Sequence, residues 1–252
     1  MSTFHTEGVV LSHAQTTGTD RIVTLYTVRM GKLRVRLRGG LKSASKLSGS
    51  FEPFTAGTFF FAHGRGGVTA IGADVVSTHK ILKRDLARIA SASVCAEVVV
   101  GLTHEHHADP RIFELIISAC GVLNRTSVAP ITVSLVPVWF LWNALKLLGT
   151  GFEEQSCVRC RKRLTPTSLG ISFSLGGMLC GPCRSQVHDA LSLSTEAVKT
   201  IRFTLNSNAS TLARLRLPQR ALRELMSLSE NMYAYQSERA STAFIFFRAF
   251  QA

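Results

Sequence analysis

The spacing of apolar residues changes near residue 81, and this change constrains the fold more than any other feature of the sequence. Before it, short segments rich in β-branched and aromatic residues recur roughly every ten residues between turn-forming glycines, as in 8–12, 21–28 and 58–62. Beyond it, apolar residues recur at intervals of three and four, which is the repeat of a helix. The sequence therefore predicts an α+β protein, with a small barrel or sandwich over residues 1–80 and a helical domain over 81–252.

Several helix boundaries can be predicted in the second part of the chain. Asp109 followed by Pro110 is typical of a helix start, with the carboxylate as the cap and proline at the first helical position. Further helices are expected at about 138–148, 194–205 and 218–235. Together these segments account for most of the chain after residue 81.

The stretch 131–149 resembles a membrane span more than any other segment does. It contains Asn143 and Lys146 and is interrupted by Pro137, and its apolar run is shorter than the ~20 residues that a span needs. We expect a buried helix there and no membrane partner. Residues 1–8 are polar, so no secretory signal is expected at the start of the chain.

The charge balance favours a polyanionic partner. The chain has 29 Lys and Arg against 16 Asp and Glu, a formal charge of +13, while 46% of its 252 residues are hydrophobic. The apolar fraction predicts a folded core, and the excess of cations is typical of proteins that bind nucleic acid.

Two Cys-x-x-Cys pairs predict a metal site. Nineteen residues, 161 to 179, separate the first pair from the second, and this spacing is typical of a zinc site with two knuckles. Four thiolates close the coordination of zinc, so the predicted role is structural, within an insertion at about 152–188. The predicted ligands are Cys157, Cys160, Cys180 and Cys183.

The sequence Cys180-Gly-Pro-Cys183 also occurs as a thioredoxin redox centre. That chemistry requires a βαβ unit around the motif, and the sequence predicts none there. A redox centre would also leave the first cysteine pair unexplained, so the zinc interpretation is favoured.

A run of cations without any acid between residues 21 and 51 predicts a nucleic-acid-binding strand. Basic and apolar residues alternate over 32–38, which sends Leu33, Val35 and Leu37 to one face and the cations to the other. A solvated outer face is normally mixed in sign, so a polyanion is the better explanation for a row of like charges. The predicted contacts are Arg21, Lys32, Arg34, Arg36, Arg38, Lys42 and Lys46.

Other motifs are weaker, and none indicates an active site. The run 104–107 begins like the zinc-protease motif His-Glu-x-x-His, but the second histidine of that motif would fall at position 108, which is alanine. A polar loop is the favoured interpretation. The glycines around Arg65 are consistent with either a phosphate cradle or a tight hairpin. The sequence contains no P-loop and no nucleophile elbow, so we expect a protein without catalytic residues.

Short motifs in a fixed order make the chain similar to the RecO family. No single motif is decisive, but the resemblance that they carry extends over about residues 4–235. They are 7–11, 20–25, 31–33, 38–40, 47–49, 52–54, 84–88, 96–97 and 109–115, followed by the four cysteines.

The resemblance implies more than the residues do by themselves. It implies an N-terminal OB-fold, a helical domain with an inserted zinc module, and a cytoplasmic, nucleoid-associated role in bacterial recombination and repair. Proteins of this family bind single- and double-stranded DNA, anneal complementary strands, engage the tail of the single-strand binding protein SSB, and help RecR to load the RecA recombinase.

The C-terminal tail departs from the family pattern, because Tyr235 is followed by an unusually apolar end, 244–247. Two other functional classes remain open from the residues alone. One is a zinc-ribbon factor of transcription or translation, and the other is an enzyme, either a redox protein or a nuclease.

Overall fold

A computed structural model describes residues 2–16, 18–41, 47–150, 152–165 and 169–250. The chain divides into two compact units, Met1–Thr126 and Ser127–Ala252. The change from strands to helices expected near residue 80 falls inside the first unit.

The first unit contains a closed five-stranded barrel with the strand order β1-β2-β3-β5-β4. Neighbouring strands are antiparallel, except that β3 meets β5 in parallel at Arg36 and Thr69, where the barrel closes. This arrangement is OB-like and confirms the expected barrel. The strands are β1 Thr3–Gln15, β2 Arg21–Thr27, β3 Gly31–Leu37, β4 Ala56–Gly64 and β5 Gly67–Ser77.

Strict alternation along the strands builds the barrel core. Leu33, Val35 and Leu37 of β3 are buried, as predicted, while Arg34 and Arg36 between them are exposed. The same rule holds in β4, where Phe59 and Phe61 point inward. Each inward residue removes apolar surface from water, which stabilises the barrel by roughly 1.5–3 kcal/mol per large side chain.

Two helices, α1 Leu86–Leu102 and α2 Pro110–Leu123, pack against the barrel within the first unit. The side chain of Asp85 accepts a hydrogen bond from the N–H of Arg88 and caps α1. Asp109 caps α2 in the same way, with Pro110 at its start, as predicted. The histidine-rich run 104–107 lies in the loop between them.

The second unit is helical, with a small three-stranded sheet of order β7-β6-β8. The four cysteines of the predicted insertion, from Cys157 to Cys183, lie in this unit between its helices α3 and α5. The elements are α3 Pro130–Leu147, β6 Gly170–Ser172, β7 Gly177–Leu179, α4 Gly181–Arg184, β8 Leu191–Ser192, α5 Thr195–Leu205, α6 Gln219–Ser237 and α7 Thr242–Arg248.

Helix α3 is longer than the sequence predicts, because it continues through Pro137. Proline inside a helix removes one hydrogen bond and costs about 3 kcal/mol. Leu135, Val136 and Val138 around it are fully buried, and this burial offsets the cost. The buried helix expected in the stretch 131–149 is therefore confirmed, but it begins at Pro130 and not at about residue 138.

The same helix is, within the described ranges, the one that is long and apolar enough to cross a membrane. Of its apolar stretch, 67% is buried inside the protein. Burial of this kind is expected of a helix at the centre of a folded domain. The length and hydropathy of α3 are therefore only weak evidence for a membrane span.

Candidate nucleic-acid interface and metal centre

The outer face of β3 carries a row of cations, as the alternation predicts. Arg34, Arg36 and Arg38 are exposed, and the side chain of Arg36 is 53% accessible to solvent. Within the described residues, neither Arg34 nor Arg38 forms an ion pair. These two guanidinium groups are therefore available to an external anion.

Arg36 is held in place by a carboxylate on the loop between β1 and β2. Its Nε donates to Oδ2 of Asp20 at 2.6 Å, and the N–H of Gly39 donates to Oδ1 at 2.7 Å. These two donors hold the pKa of Asp20 below its usual value. Asp20 thus fixes the direction of Arg36 while leaving half of that side chain in solvent.

Two side chains that were predicted to contact nucleic acid, Lys32 and Arg21, form hydrogen bonds within the protein. Nζ of Lys32 donates to the carbonyls of Val100, at 2.7 Å, and Thr103, both at the C-terminal end of α1. Nη1 of Arg21 donates to Oε1 of Glu52 at 2.8 Å. Lys42 and Lys46, also predicted to contact nucleic acid, lie outside the described residues.

The hairpin β4–β5 adds a cation that the sequence indicates only weakly. Gly64 pairs with Gly67, so Arg65 and Gly66 form a two-residue turn, which favours the tight-hairpin interpretation of these glycines. Arg65 lines an open cleft of about 790 Å³ together with Arg36 and Arg38. The parallel contact of β3 with β5 brings this turn beside the basic strand.

A second open cleft, of about 450 Å³, lies on the outer side of the same strand. It is lined by Arg34 and Arg36, by glycines of the β4–β5 turn, and by Glu105. Together the two clefts form what we call the barrel groove. Its walls are β3, the β4–β5 turn and the residues at the ends of the β1–β2 loop. An OB-type barrel commonly binds oligonucleotides on this face.

The four cysteines of the two pairs meet in the second unit. Their sulfur atoms all lie within 4.8 Å of one another, and no disulfide joins them. The Sγ atoms of Cys160 and Cys180 are 3.7 Å apart. A zinc tetrathiolate with Zn–S bonds of about 2.3 Å has sulfur–sulfur edges of about 3.8 Å, so the cluster fits a tetrahedral metal ion.

The backbone around the cysteines prepares the site for thiolates. Burial alone would raise the pKa of Cys157, but backbone N–H groups, including that of Cys180 at 3.5 Å, lower it to about 6. Hydrogen bonding with Cys180 and burial raise the pKa of Cys183 to about 12. Cys157 and Cys183 therefore release their protons unequally, as expected for thiols in close contact.

Small strands hold the two knuckles together. Val158 donates its N–H to the carbonyl of Met178 at 3.0 Å, and Met178 donates to Glu153 at 2.8 Å. A Cβ at Gly177 would lie 2.3 Å from Cγ1 of Val158, so this position requires glycine. The second pair opens the single-turn helix α4 after β7, without the βαβ unit that a thioredoxin centre needs.

The comparisons with known proteins agree with this architecture. The family model described as Recombination protein O N terminal matches residues 1–79, and that described as Recombination protein O C terminal matches residues 83–242.

Curated relatives that are each named DNA repair protein RecO match most of this chain. The protein of Bacillus pumilus is 28% identical over 90% of this chain and 86% of its own length. That of Dehalococcoides mccartyi is 26% identical over 88% and 86%, and that of Anaeromyxobacter dehalogenans is 30% identical over 74% and 73%. With both family models covering nearly the whole sequence and an OB-like barrel preceding a helical unit, this chain belongs to the RecO family of DNA repair proteins.

Proposed function

We propose that this protein is a recombination mediator that binds single- and double-stranded DNA and anneals complementary strands without catalysing a reaction. The observation that carries the proposal is the barrel groove, where Arg34, Arg36, Arg38 and Arg65 line two adjoining open clefts. Guanidinium groups bind phosphate in a planar, two-pronged geometry, and phosphates are common to every nucleic acid.

The lining of the groove favours contacts with the DNA backbone. Among the described lining residues there is no Phe, Tyr or Trp, and His63, the one ring, stacks on Phe4 with centroids 4.8 Å apart. Proteins that grip single strands by their bases use aromatic platforms for stacking. A strand held by its phosphates keeps its bases free to pair with a complementary strand, which is what annealing requires.

The metal centre has a supporting role in this proposal. Zinc suits four thiolates, and four protein ligands leave no coordination position for a substrate. We therefore assign Cys157, Cys160, Cys180 and Cys183 to a structural zinc ion that stabilises the second unit. The ion supplies folding energy when bound, and it takes no part in a chemical step.

The partners and location follow from family membership. We propose that the protein works with RecR and SSB to load the RecA recombinase, in the bacterial cytoplasm at the nucleoid. A pull-down with a peptide of the SSB tail tests the partner assignment. Absence of binding at low ionic strength would contradict it.

Annealing of two complementary labelled oligonucleotides tests the central proposal. Purified protein should accelerate pairing of naked and SSB-coated strands in the absence of nucleotide, and the charge-reversal variant Arg34→Glu/Arg36→Glu should lose most of this acceleration. Hydrolysis of ATP by the pure protein, or annealing that depends on ATP, would contradict a non-enzymatic mediator.

A further inference from the structure

The first zinc knuckle carries four exposed cations in five residues. They follow the buried Cys157 on a turn in which the N–H of Arg161 donates to the carbonyl of Cys157 at 2.8 Å, and the N–H of Cys157 donates to that of Lys162 at 2.8 Å. The turn fixes the backbone, and all four side chains are exposed to solvent. We call this surface the cationic knuckle, formed by Arg159, Arg161, Lys162 and Arg163.

The charge of a zinc tetrathiolate does not account for the whole cluster. Four thiolates and one divalent ion carry a charge of about −2, so four cations exceed it by about +2. Within the described residues, none of the four forms an ion pair. The nearest acids in the sequence are Glu153 and Glu154. Glu153 accepts hydrogen bonds from the N–H groups of Gln155 at 2.7 Å and Ser156 at 2.9 Å, and its carboxylate interacts electrostatically with Arg161. Glu154 lines the cleft beside Arg163. Glu153 thus balances part of the charge of Arg161, while all four cationic side chains remain exposed to solvent.

The surroundings of the cationic knuckle favour a phosphodiester backbone over an acidic peptide. The cleft beside Arg163 has a volume of about 280 Å³, and Leu164 is the one apolar residue among its described lining residues. Its other arginine, Arg202, already donates to the carbonyl of Glu154 at 2.6 Å. Peptides bind through apolar anchors as well as charge, whereas phosphate contacts need charge alone.

We propose that the cationic knuckle is a second nucleic-acid-binding surface, which holds the phosphodiester backbone of a strand independently of the barrel groove. The proposal rests on the DNA-binding function proposed above and adds to it. The two surfaces belong to different compact units, so one molecule has a place for each of two strands.

A background in which the barrel groove is disabled gives the sharpest test. In the zinc-loaded, full-length Arg34→Glu/Arg36→Glu variant, binding of a single-stranded oligonucleotide should weaken but remain measurable at low salt. Adding Arg159→Glu/Lys162→Glu should reduce the residual affinity by about tenfold and lower the log–log salt slope by roughly 0.7 per phosphate contact removed. Persistence of the residual binding with an unchanged slope would overturn the proposal.

Arg220→Glu/Arg223→Glu is the matched control, because both residues are exposed on the second unit and the charge change is identical. In the same background and at the same ionic strength it should leave the residual binding within about twofold, because it changes the net charge equally but removes no contact of the cationic knuckle. An equal loss in the control would assign the effect to net charge and contradict a localised surface.

Metal content and circular dichroism are measured for every variant. If Arg159→Glu/Lys162→Glu loses zinc, the neutral pair Arg159→Gln/Lys162→Gln replaces it, with a smaller loss of the same sign expected. A glutamate-rich peptide that displaces the oligonucleotide at equal concentration would show that the surface takes acidic peptides and would overturn the assignment. Failure of the proposed function would be visible separately, as absent annealing by the wild-type protein.

Discussion

The ammonium group of Lys32 donates a hydrogen bond to the carbonyl oxygen of Val100 at 2.7 Å, and so joins β3 of the barrel to the last turn of α1. It also donates to the carbonyl of Thr103. Carbonyl groups at the end of a helix lack partners within the helix and carry the negative end of its dipole, which a cation stabilises. Lys32 therefore differs from Arg34 and Arg36, although all three occupy the same outer face of one strand.

The first prediction follows from this difference. Lys32→Met should lower the free energy of unfolding by about 1–2 kcal/mol, because the carbonyls at the end of α1 lose a charged donor. Its DNA affinity and salt dependence should stay close to those of the wild type. Urea unfolding and fluorescence anisotropy check the two parts, and a reduced salt slope with normal stability would place Lys32 in the DNA interface instead.

Charge reversal at the two arginines should produce the opposite result. Arg34→Glu/Arg36→Glu should weaken binding to many sequences alike and flatten the log–log salt dependence by roughly 0.7 to 0.9 per lost phosphate contact. The buried residues of β3 are unchanged, so circular dichroism and zinc content should match the wild type. The loss of the Arg36–Asp20 pair should lower the free energy of unfolding, because it leaves two carboxylates close together. Arg84→Glu/Arg125→Glu, an exposed pair in the same compact unit, is the matched control. An unchanged slope in the folded variant would mean that the strand is only a solvated face.

Removal of one sulfur ligand tests the metal centre. Purified wild-type protein should contain about one zinc ion per chain, and Cys180→Ser should contain little or none. A structural site of this kind contributes on the order of 10 kcal/mol to the segment that folds around it, so the melting temperature of the second unit should fall clearly. DNA affinity should fall less, because the barrel groove lies in the first unit. Cys95→Ala removes a buried thiol in the first unit and should retain the metal. Zinc-free protein with a Cys180–Cys183 disulfide would contradict the assignment.

A single glycine should be essential where the histidine-rich loop meets β3. Gly31 has a φ of +63°, and a Cβ there would lie 2.2 Å from the carbonyl oxygen of His107. Gly31→Ala should therefore destabilise the protein by at least about 2 kcal/mol, from the strained backbone and from displacement of the loop. Gly66→Ala is the control, because nothing lies within 4 Å of the added methyl group. Equal unfolding midpoints for the two variants would contradict this packing.

Features that depend on neighbouring residues in the chain could be predicted from the sequence. The inward direction of Leu33, Val35 and Leu37 follows from the period of a strand, and the start of α2 follows from Asp109 and Pro110. The grouping of two Cys-x-x-Cys pairs also follows from spacing, because each pair forms a local turn. In these cases the physical cause lies within a few residues of its effect.

Only the tertiary structure decided which cations face solvent. Alternation puts Lys32 and Arg34 on one side of β3, but α1 supplies acceptors to the first and not to the second. Glu52, far along the chain, pairs with Arg21, while closure of the barrel brings Arg65 beside Arg36 and Arg38. The sequence by itself determined the strand, its two faces and its charge. The availability of each charge depended on partners distant in sequence, because a pairing partner is chosen by proximity in space, which the local pattern of residues does not encode.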